Sequence, residues 1–303
     1  MKAGVVANMF AARALKELGL IDVPMTLMFS PDEELGAPTA TRVYRERIGG
    51  ARAVICAEPG FPDGGVTTER RGSGHFHMRI SGISAHAGRC YEDGASAILE
   101  LAHKIVALDA FVDAQAQTIV NTGLISGGNS ANAVAPWADA RIHITFNTVD
   151  AAERLVENVR AVAARTFVPR TTTRISGGIR LHPLEYTADV ETLFGMAERA
   201  CAAMGGYTIR RNRALGASEA GFTASVLGIP SICSMGPEGA ELHSPREYLS
   251  VDTVLPRCKM IALTAIQAPG RFPPPAYRFA HPGYPAFRGT ARAVPCGGRA
   301  WRG

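Results

Sequence analysis

The sequence predicts an α/β protein with an open, mostly parallel sheet, helices on both faces of that sheet, and an inserted α+β ferredoxin-like domain. Two observations support this fold class. Short apolar runs alternate with helical patterns at both ends of the chain, as in a parallel sheet covered by helices. Between these ends, the order strand-helix-strand-strand-helix-strand indicates the split unit of ferredoxin-like domains.

The first segment, residues 1–69, has the rhythm of an α/β domain. Its first helix has apolar residues at helical spacing and is closed by Gly19. The two apolar runs that follow suit buried strands, and each ends in a polar loop. The predicted elements are a helix over 5–18, a strand over 24–29, a helix over 39–47 and a strand over 53–57.

The middle segment, 70–181, is predicted to be a separate inserted domain. Its first strand alternates, with Phe76, Met78 and Ile80 on one face. A block of about 110 residues is close to ordinary domain size. The predicted elements are strands over 75–81, 118–125, 138–146 and 171–176, and helices over 95–108 and 151–165.

The helix–strand rhythm returns in the third segment, 182–267, which is predicted to complete the α/β domain. The last segment, 268–303, is rich in Pro, Gly and Arg and has no helical or strand periodicity. This composition predicts a disordered tail, and residues translated after a reading-frame error are the alternative explanation. The elements predicted for the third segment are helices over 190–204 and 252–266 and strands over 207–210 and 229–233.

Charge and cysteine content exclude several classes of protein. The chain has a net charge of +5, but its last 36 residues contain six arginines and no acid, so the remainder is slightly acidic and offers no broad basic face for nucleic acid. No apolar run approaches the roughly 18 residues of a membrane-spanning helix. The six cysteines form no CxxC pair, which predicts reduced thiols in a cytoplasmic protein.

Acidic residues follow two of the predicted strands. Glu33 and Glu34 come after the run 24–29, Glu58 follows the run 53–57, and His243 lies in a later loop after a strand. Ligands of open α/β sheets gather at the carboxyl ends of strands, so these side chains form a candidate site for Zn, Mn or Co. Glu34 could bind metal while Glu33 acts as general base. A solvated acidic loop is the alternative interpretation of the same residues.

Several motifs occur in a fixed order along the chain, from Met1 to about Gln267: MKAGVVANMFAARALKELG, LMFSPDEELGA, AEPG, SGISAHAG, SGGNSANAVAP and GPEGAELHSPREYL. In this order they resemble the di-zinc family of glutamate carboxypeptidases, aminoacylases and succinyl-diaminopimelate desuccinylases. The resemblance implies a zinc exopeptidase-like fold and hydrolysis of amide or peptide bonds by metal-activated water. The substrate would be a small peptide or an N-acyl amino acid.

The resemblance also assigns roles to individual residues. It implies that Glu33 is the catalytic carboxylate, that Glu34 and Glu58 bind separate metals, and that His243 joins Glu34. The inserted domain would be the lid and dimerisation domain of a homodimer. Within the dimer, His86 would steady the oxyanion at the partner's active site. The residues implied to contact substrate are Asn132, Gly216 and Ser218.

The chain departs from the family pattern in two respects. It starts at Met1-Lys2-Ala3-Gly4, where the family has a metal-bridging Asp just upstream and a metal-binding His further back. We therefore expect an N-terminally truncated member that binds metal weakly, and the alternative function is a non-catalytic protein that retains only dimerisation. Thr145 stands where the family has a substrate-gripping arginine, so an N-acyl or other amide substrate is as well supported as a C-terminal glutamate.

One further histidine pair lies outside these motifs. His75 and His77 fall on one face of a predicted strand, and an HxH pair can bind metal. Because no acidic residue lies beside them in the sequence, we expect them to occupy an exposed sheet face.

Overall fold

A computed structural model describes residues 2–20 and 24–272 of the chain. None of the helices in these ranges is both long and apolar enough to cross a membrane. The helices are α1 (Lys2–Glu17), α2 (Ala40–Ile48), α3 (Ala97–Asp109), α4 (Val149–Ala164), α5 (Ala188–Ala203), α6 (Glu219–Ser225) and α7 (Val254–Gln267). The strands are β1 (Val54–Ile55), β2 (Gly65–Arg70), β3 (Gly72–Ser81), β4 (Ile119–Gly127), β5 (Trp137–Phe146), β6 (Thr172–Leu181), β7 (Arg210–Ala214), β8 (Ser231–Ile232), β9 (Gly239–Ala240) and β10 (Tyr248–Leu249).

The α/β body is built from two parallel strand pairs. β1 pairs with β8, and β2 pairs with β7. An antiparallel bridge between Thr67 and Cys233 joins the two pairs, so that segments far apart in sequence form one layer. Helix α7 packs against both α1 and α5, and the three helices share with this layer an apolar cluster that includes Ala7, Phe194 and Met260.

Helix α1 is amphipathic, as its sequence predicts. Gly4, Ala7, Ala11 and Leu15 are buried at intervals of three or four residues, which places them on one helix face. A side chain at Gly4 would put its Cβ 2.0 Å from the carbonyl oxygen of Ala57. The absence of a side chain therefore allows the start of α1 to lie directly against the end of β1.

The inserted domain is an antiparallel sheet with the strand order β4-β5-β3-β6 and two helices on one face. Phe76, Met78 and Ile80 of β3 point into its core, as their alternation predicts. They pack with inward residues of β5 and with Leu155 and Val159 of α4. The predicted ferredoxin-like order is confirmed, since all four strands and both helices are found.

A buried ion pair ties the two helices of this domain together. Lys104 Nζ lies 2.9 Å from Glu100 Oε1, and neither side chain is exposed. The ammonium also donates to the carbonyl oxygens of Val162 and Ala163, at 2.9 and 3.0 Å. The other carboxylate oxygen of Glu100 accepts the backbone N–H of Phe167 at 2.8 Å. The pair is thus surrounded by hydrogen-bonding partners, which a buried charge requires.

Two predicted strands are wrong and one strand was missed. Residues 24–29 form no strand: none of the strands within the described ranges pairs with them, and Met25, Leu27 and Phe29 are partly exposed. The strand predicted over 207–210 begins only at Arg210, as β7, where pairing with β2 starts. Strand β2 itself was missed because its sequence, GVTTER, is too polar to resemble a buried strand.

The start of the predicted tail also needs correction. Ala268 and Phe272 are buried in the apolar cluster of the α/β body, and the carbonyl oxygen of Pro269 accepts a hydrogen bond from Arg52 at 2.8 Å. The α/β body therefore extends past Gln267, because the buried side chain of Phe272 packs in its apolar cluster. The Pro, Gly and Arg content of the segment gave no indication of this contact. The rest of the predicted tail, 273–303, lies outside the described residues.

Candidate active site

Glu58 is positioned by the end of strand β1. The backbone on either side is fixed to the segment after β8: Met235 N–H donates to the Cys56 carbonyl at 3.1 Å, and Gly236 N–H donates to the Glu58 carbonyl at 3.0 Å. The half-buried carboxylate thus lies at the carboxyl edge of a parallel pair, where ligands of α/β sheets bind.

Glu33 and Glu34 lie on a short 3-10 turn, Glu33–Leu35, that follows the irregular segment 24–30. Glu33 is half-buried and Glu34 is exposed, so that the two carboxylates face different surroundings. Gly36 ends the turn in the left-handed conformation, with φ +85°, which glycine adopts without strain. The separate roles predicted for the two carboxylates stay predictions.

His243 lies in the loop between β9 and β10 and reaches Glu34. Its Nε2 is 3.3 Å from Glu34 Oε1, although 209 positions separate the two residues in sequence. The His243 backbone has φ +62°, a left-handed conformation that is costly for a residue with a side chain. Such conformations cluster at functional sites, where surrounding structure holds them in place.

The carboxyls of Glu33 and Glu58 share an environment that favours their protonated forms. Burial raises the pKa of Glu33 to about 7, with further contributions from Glu34 and Glu219. Burial likewise raises the pKa of Glu58 to about 7, and the charges of Cys233 and Glu33 add to the effect. Arg70 opposes both shifts. The two carboxyls therefore interact electrostatically, although they come from different segments of the chain.

The structure brings together part of the predicted metal set. Glu34 and His243 are in contact, and an oxygen and an imidazole nitrogen are suitable donors for Zn²⁺. No group of three or more His, Cys, Asp or Glu side chains in ranges 2–20 and 24–272 is close enough to hold a metal ion. The carboxylate of Glu34 and the imidazole of His243 are donor types that fit a divalent cation, and they are the two predicted ligands in contact with each other. Metal binding by Glu58 stays a prediction.

His86 and Asn132 lie together in the inserted domain. The backbone N–H of Ala87 donates to the Asn132 carbonyl at 3.0 Å, which joins the two loops. His86 Nδ1 accepts the N–H of Gly88 at 3.2 Å, so that the ring's Nε2 carries its proton when the ring is neutral. Both side chains are exposed, and their predicted reach into a partner's site stays a prediction.

The two other predicted substrate contacts lie on the loop before α6. The Gly216 carbonyl accepts a hydrogen bond from Arg70 at 3.2 Å, and nothing lies within 4 Å of the position a Cβ would take. Ser218 is fully buried, and its hydroxyl accepts the N–H of Ala220 at 3.3 Å as the N-cap of α6. The structure thus gives Ser218 a capping role, and its contact with substrate stays a prediction.

Two residues near this site were missed in the sequence. Arg70 is buried at the end of β2, where its guanidinium donates to the Ala217 carbonyl at 2.8 Å and lies 3.4 Å from Ser234 Oγ. The pKa of the Tyr44 phenol is raised, first by burial and then by the charge of Glu219. An arginine that ends a strand is a common surface feature, so the sequence carries no signal that Arg70 is buried beside carboxylates.

A comparison with protein-family models finds one domain in the chain. Residues 68–171 match the peptidase dimerisation domain. This range coincides with most of the inserted domain, from the end of β2 to the start of β6. The fold and this match define a peptidase-type α/β protein with an inserted dimerisation domain.

Similar proteins extend this assignment. A probable carboxypeptidase of Arthroderma otae is 26% identical over 192 residues, which span 58% of this chain and 40% of that protein. The crystal structure of aminopeptidase PepT from Bacillus cereus has a TM-score of 0.70 at 22% identity, covering 88% of this chain and 70% of that one. YxeP of Bacillus subtilis, described as a dinuclear metal-binding peptidase of the M20 family, has a TM-score of 0.65 at 16% identity, covering 88% and 71%. Residues 68–171 therefore carry a peptidase dimerisation domain, and the solved structures show that most of the chain has the fold of M20-family peptidases, as the resemblance of its motifs implies.

Proposed function

We propose that the protein hydrolyses amide or peptide bonds with the help of divalent metal ions, of which Zn²⁺ is the first candidate and Mn²⁺ or Co²⁺ are others. The observation that carries this proposal is the meeting of Glu34 and His243 from distant segments, beside a half-buried Glu33. Glu34, Glu58 and His243 would hold the metal. A bound ion would supply Lewis-acid chemistry, polarising the scissile carbonyl and lowering the pKa of water.

Glu33 acts in this proposal as the general base. A base is most effective when its pKa lies near the working pH, and burial raises the pKa of Glu33 to about 7. Its carboxylate would accept a proton from the attacking water and, as the acid, return it to the leaving amine. Arg70, held by backbone carbonyls, would keep part of the Glu33 population ionised near neutral pH.

The proposed substrates are small peptides and N-acyl amino acids. One relative is named a carboxypeptidase and one solved structure an aminopeptidase. The names of similar proteins therefore include enzymes that act at either end of a peptide. In this chain Thr145 lies within β5 and its hydroxyl is buried without a protein partner. Threonine offers no cation for a substrate carboxylate, which supports the broader amide class.

We also propose a homodimer formed through the inserted domain. Strand β4 is at the edge of its sheet, and Leu124 and Ile125 are 68% and 65% exposed on it. The adjoining helix α3 exposes Val106 as well. An exposed apolar edge strand is a template for pairing with a second chain. A cytoplasmic location is the accompanying proposal, supported by the free thiols of the five described cysteines.

The proposal is tested by hydrolysis assays on the purified chain after addition of Zn²⁺, with N-acetyl amino acids and dipeptides as substrates. We expect turnover that is lost on chelation and reduced about 10²- to 10⁴-fold by Glu33→Gln. Glu46→Gln, which removes an exposed carboxylate on α2, is the matched control and should leave turnover unchanged. Equal turnover by Glu33→Gln and the wild-type protein would refute the assigned base.

A second candidate function is dimerisation without catalysis. It is favoured by the small number of metal donors that meet among residues 2–20 and 24–272, and by the match to a dimerisation domain. On this account the chain forms dimers in sedimentation experiments but neither binds Zn²⁺ stoichiometrically nor hydrolyses amides. Metal-dependent turnover would exclude it.

A further inference from the structure

The turn that carries Glu33 and Glu34 is shaped by local bonds. The backbone carbonyl of Asp32 accepts the N–H groups of Leu35 and Ala37 at 3.1 and 2.8 Å, and Glu33 accepts that of Gly36 at 2.8 Å. Ala37, at the far end, is fully buried in an apolar cluster. Leu35 is 64% exposed, so the centre of the turn lacks such an anchor in its own side chain.

An arginine from the inserted domain reaches the centre of this turn. Arg180, on β6, donates from Nη2 to the backbone carbonyl of Leu35. Gly36 lies against the same side chain, since a Cβ on Gly36 would be 3.0 Å from Arg180 Nε and 3.4 Å from its Cβ. One guanidinium therefore connects the inserted domain to the residue that follows Glu34.

The direction of Arg180 is set by a β-bulge. Ser73 pairs with Leu181 and Gly74 pairs with Ile179, so Arg180 is the extra residue on β6. A bulge bends a strand and redirects the side chain of the extra residue. Gly177, three residues earlier, has φ +107°, and a Cβ there would lie 2.1 Å from the carbonyl oxygen of His75. The local sequence thus permits a distorted strand that ordinary residues would resist.

His75, which is itself bonded to His143, contacts the other side of the guanidinium. Arg180 Nη1 is 3.3 Å from His75 Nδ1, and because a guanidinium only donates, this nitrogen accepts. A neutral His75 then carries its proton on Nε2 and donates to His143 Nδ1, which is 2.8 Å away. Burial lowers the pKa of His75, as do His143 and Arg180, and burial lowers the pKa of His143. The neutral forms on which this chain of donors depends are thereby favoured.

We propose that Arg180 is a positioning residue for the proposed active site. It fixes the Glu33–Leu35 turn to the sheet of the inserted domain, while His75 and His143 fix Arg180. The catalytic role of the turn rests on the proposed function, but the anchoring itself does not. The arrangement makes the placement of Glu33 and Glu34 depend on how the inserted domain sits against the α/β body.

The anchoring is tested by amide hydrogen exchange of residues 32–39 in the full chain, followed by mass spectrometry. In Arg180→Ala we expect exchange of this segment to rise roughly tenfold or more, because a charge-assisted hydrogen bond is lost. Arg174→Ala, which removes an exposed arginine from the same strand, is the matched control and should leave exchange unchanged. Unchanged exchange in Arg180→Ala would overturn the proposal.

Two further variants separate positioning from general loss of structure. His75→Phe keeps Arg180 but removes the nitrogen that accepts its hydrogen bond, so exchange at residues 32–39 should rise less than in Arg180→Ala. If Arg180→Ala does not fold, His75→Phe tests the proposal in its place. Arg180→Lys keeps a donor for the Leu35 carbonyl and should restore part of the protection. Equal exchange in His75→Phe and the wild-type protein would contradict the proposed role of His75, and exchange in Arg180→Lys as fast as in Arg180→Ala would contradict the role of the donated hydrogen bond.

A Zn²⁺ titration distinguishes failure of this inference from failure of the proposed function. If the wild-type chain binds Zn²⁺, Arg180→Ala should bind it more weakly and Arg174→Ala equally well. If the wild-type chain does not bind Zn²⁺ but exchange still rises in Arg180→Ala, the anchoring stands and the metal-dependent function fails. If Zn²⁺ affinity and exchange are both unchanged in Arg180→Ala, the positioning role is wrong whatever the function.

Discussion

Replacing Glu58 by Gln should stabilise the metal-free protein at alkaline pH. Glutamine keeps the shape of the side chain and removes the charge. Burial, the first cause of the raised pKa of Glu58, acts against the ionised form, and so do the charges of Cys233 and Glu33. Glu58 therefore costs stability whenever it is ionised in the folded state, and the neutral variant avoids this cost.

The size and sign of the effect follow from linkage. A change from 4.5 in the ordinary carboxyl to about 7 in the folded protein corresponds to about 3.4 kcal/mol at 1.36 kcal/mol per pKa unit. Partial exposure of the side chain reduces this, so we expect about 1–3 kcal/mol. Because the folded-state pKa is raised, the stability of the wild-type protein is highest below the unfolded-state pKa and falls as pH rises towards 7.

Urea unfolding at pH 5 and pH 8.5, with a chelator present, measures this difference. Glu58→Gln should be more stable than the wild-type protein at pH 8.5, and the gain should largely vanish at pH 5. Glu46→Gln, on an exposed face of α2, should show neither effect. A Glu58→Gln variant with no gain at pH 8.5, or with the same gain at both pH values, would refute the reasoning.

Three further predictions concern the inserted domain. Lys104→Met should lower the free energy of unfolding by about 3–5 kcal/mol, measured in urea, because Glu100 would remain buried without its cation; a loss below 1 kcal/mol would contradict this. Gly82→Ala should lower the thermal midpoint, because the new Cβ would lie 2.1 Å from the Ala95 carbonyl; an unchanged midpoint would show that the loop adjusts freely. Leu124→Asp should shift the protein from dimer to monomer in sedimentation equilibrium, and an unchanged mass would place the interface elsewhere.

Periodic segments were the most predictable part of the fold. The helix predicted over 5–18 and the strand predicted over 75–81 are confirmed as α1 and β3. Each element buries one face, and the spacing of its apolar residues indicates which face that is. The order of elements in the inserted domain follows for the same reason. Boundaries moved by a few residues, as in β6, which runs on to Leu181.

Pairing partners could not be predicted in this way. Residues 24–29 are as apolar as a buried strand, yet a strand needs a neighbour to pair with, and its own sequence carries no information about one. Conversely, β2 is polar and was missed, although it pairs along its length with β7. The carbonyl and N–H groups that define a sheet are common to all residues, so local composition indicates them only indirectly.

The candidate site was predictable in its residue types and incompletely in its geometry. Glu34 and His243 meet, as the resemblance of the motifs implies, although Glu34 follows a segment that pairs with no described strand. The buried cation beside the carboxylates, Arg70, carries no local signal. His77, which was expected on an exposed sheet face, is half-buried and forms a hydrogen bond with Asp139 of the neighbouring strand β5. Cross-strand contacts of this kind depend on register, which only the folded structure gives.

The most direct test of the central claim is the position of a bound metal. Crystals of the chain soaked in Zn²⁺ and measured at the zinc absorption edge would locate it by anomalous scattering. The account predicts zinc about 2.0–2.2 Å from a Glu34 carboxylate oxygen and from His243 Nε2. Zinc bound elsewhere, with Glu34 and His243 making no contact to it, would contradict the account.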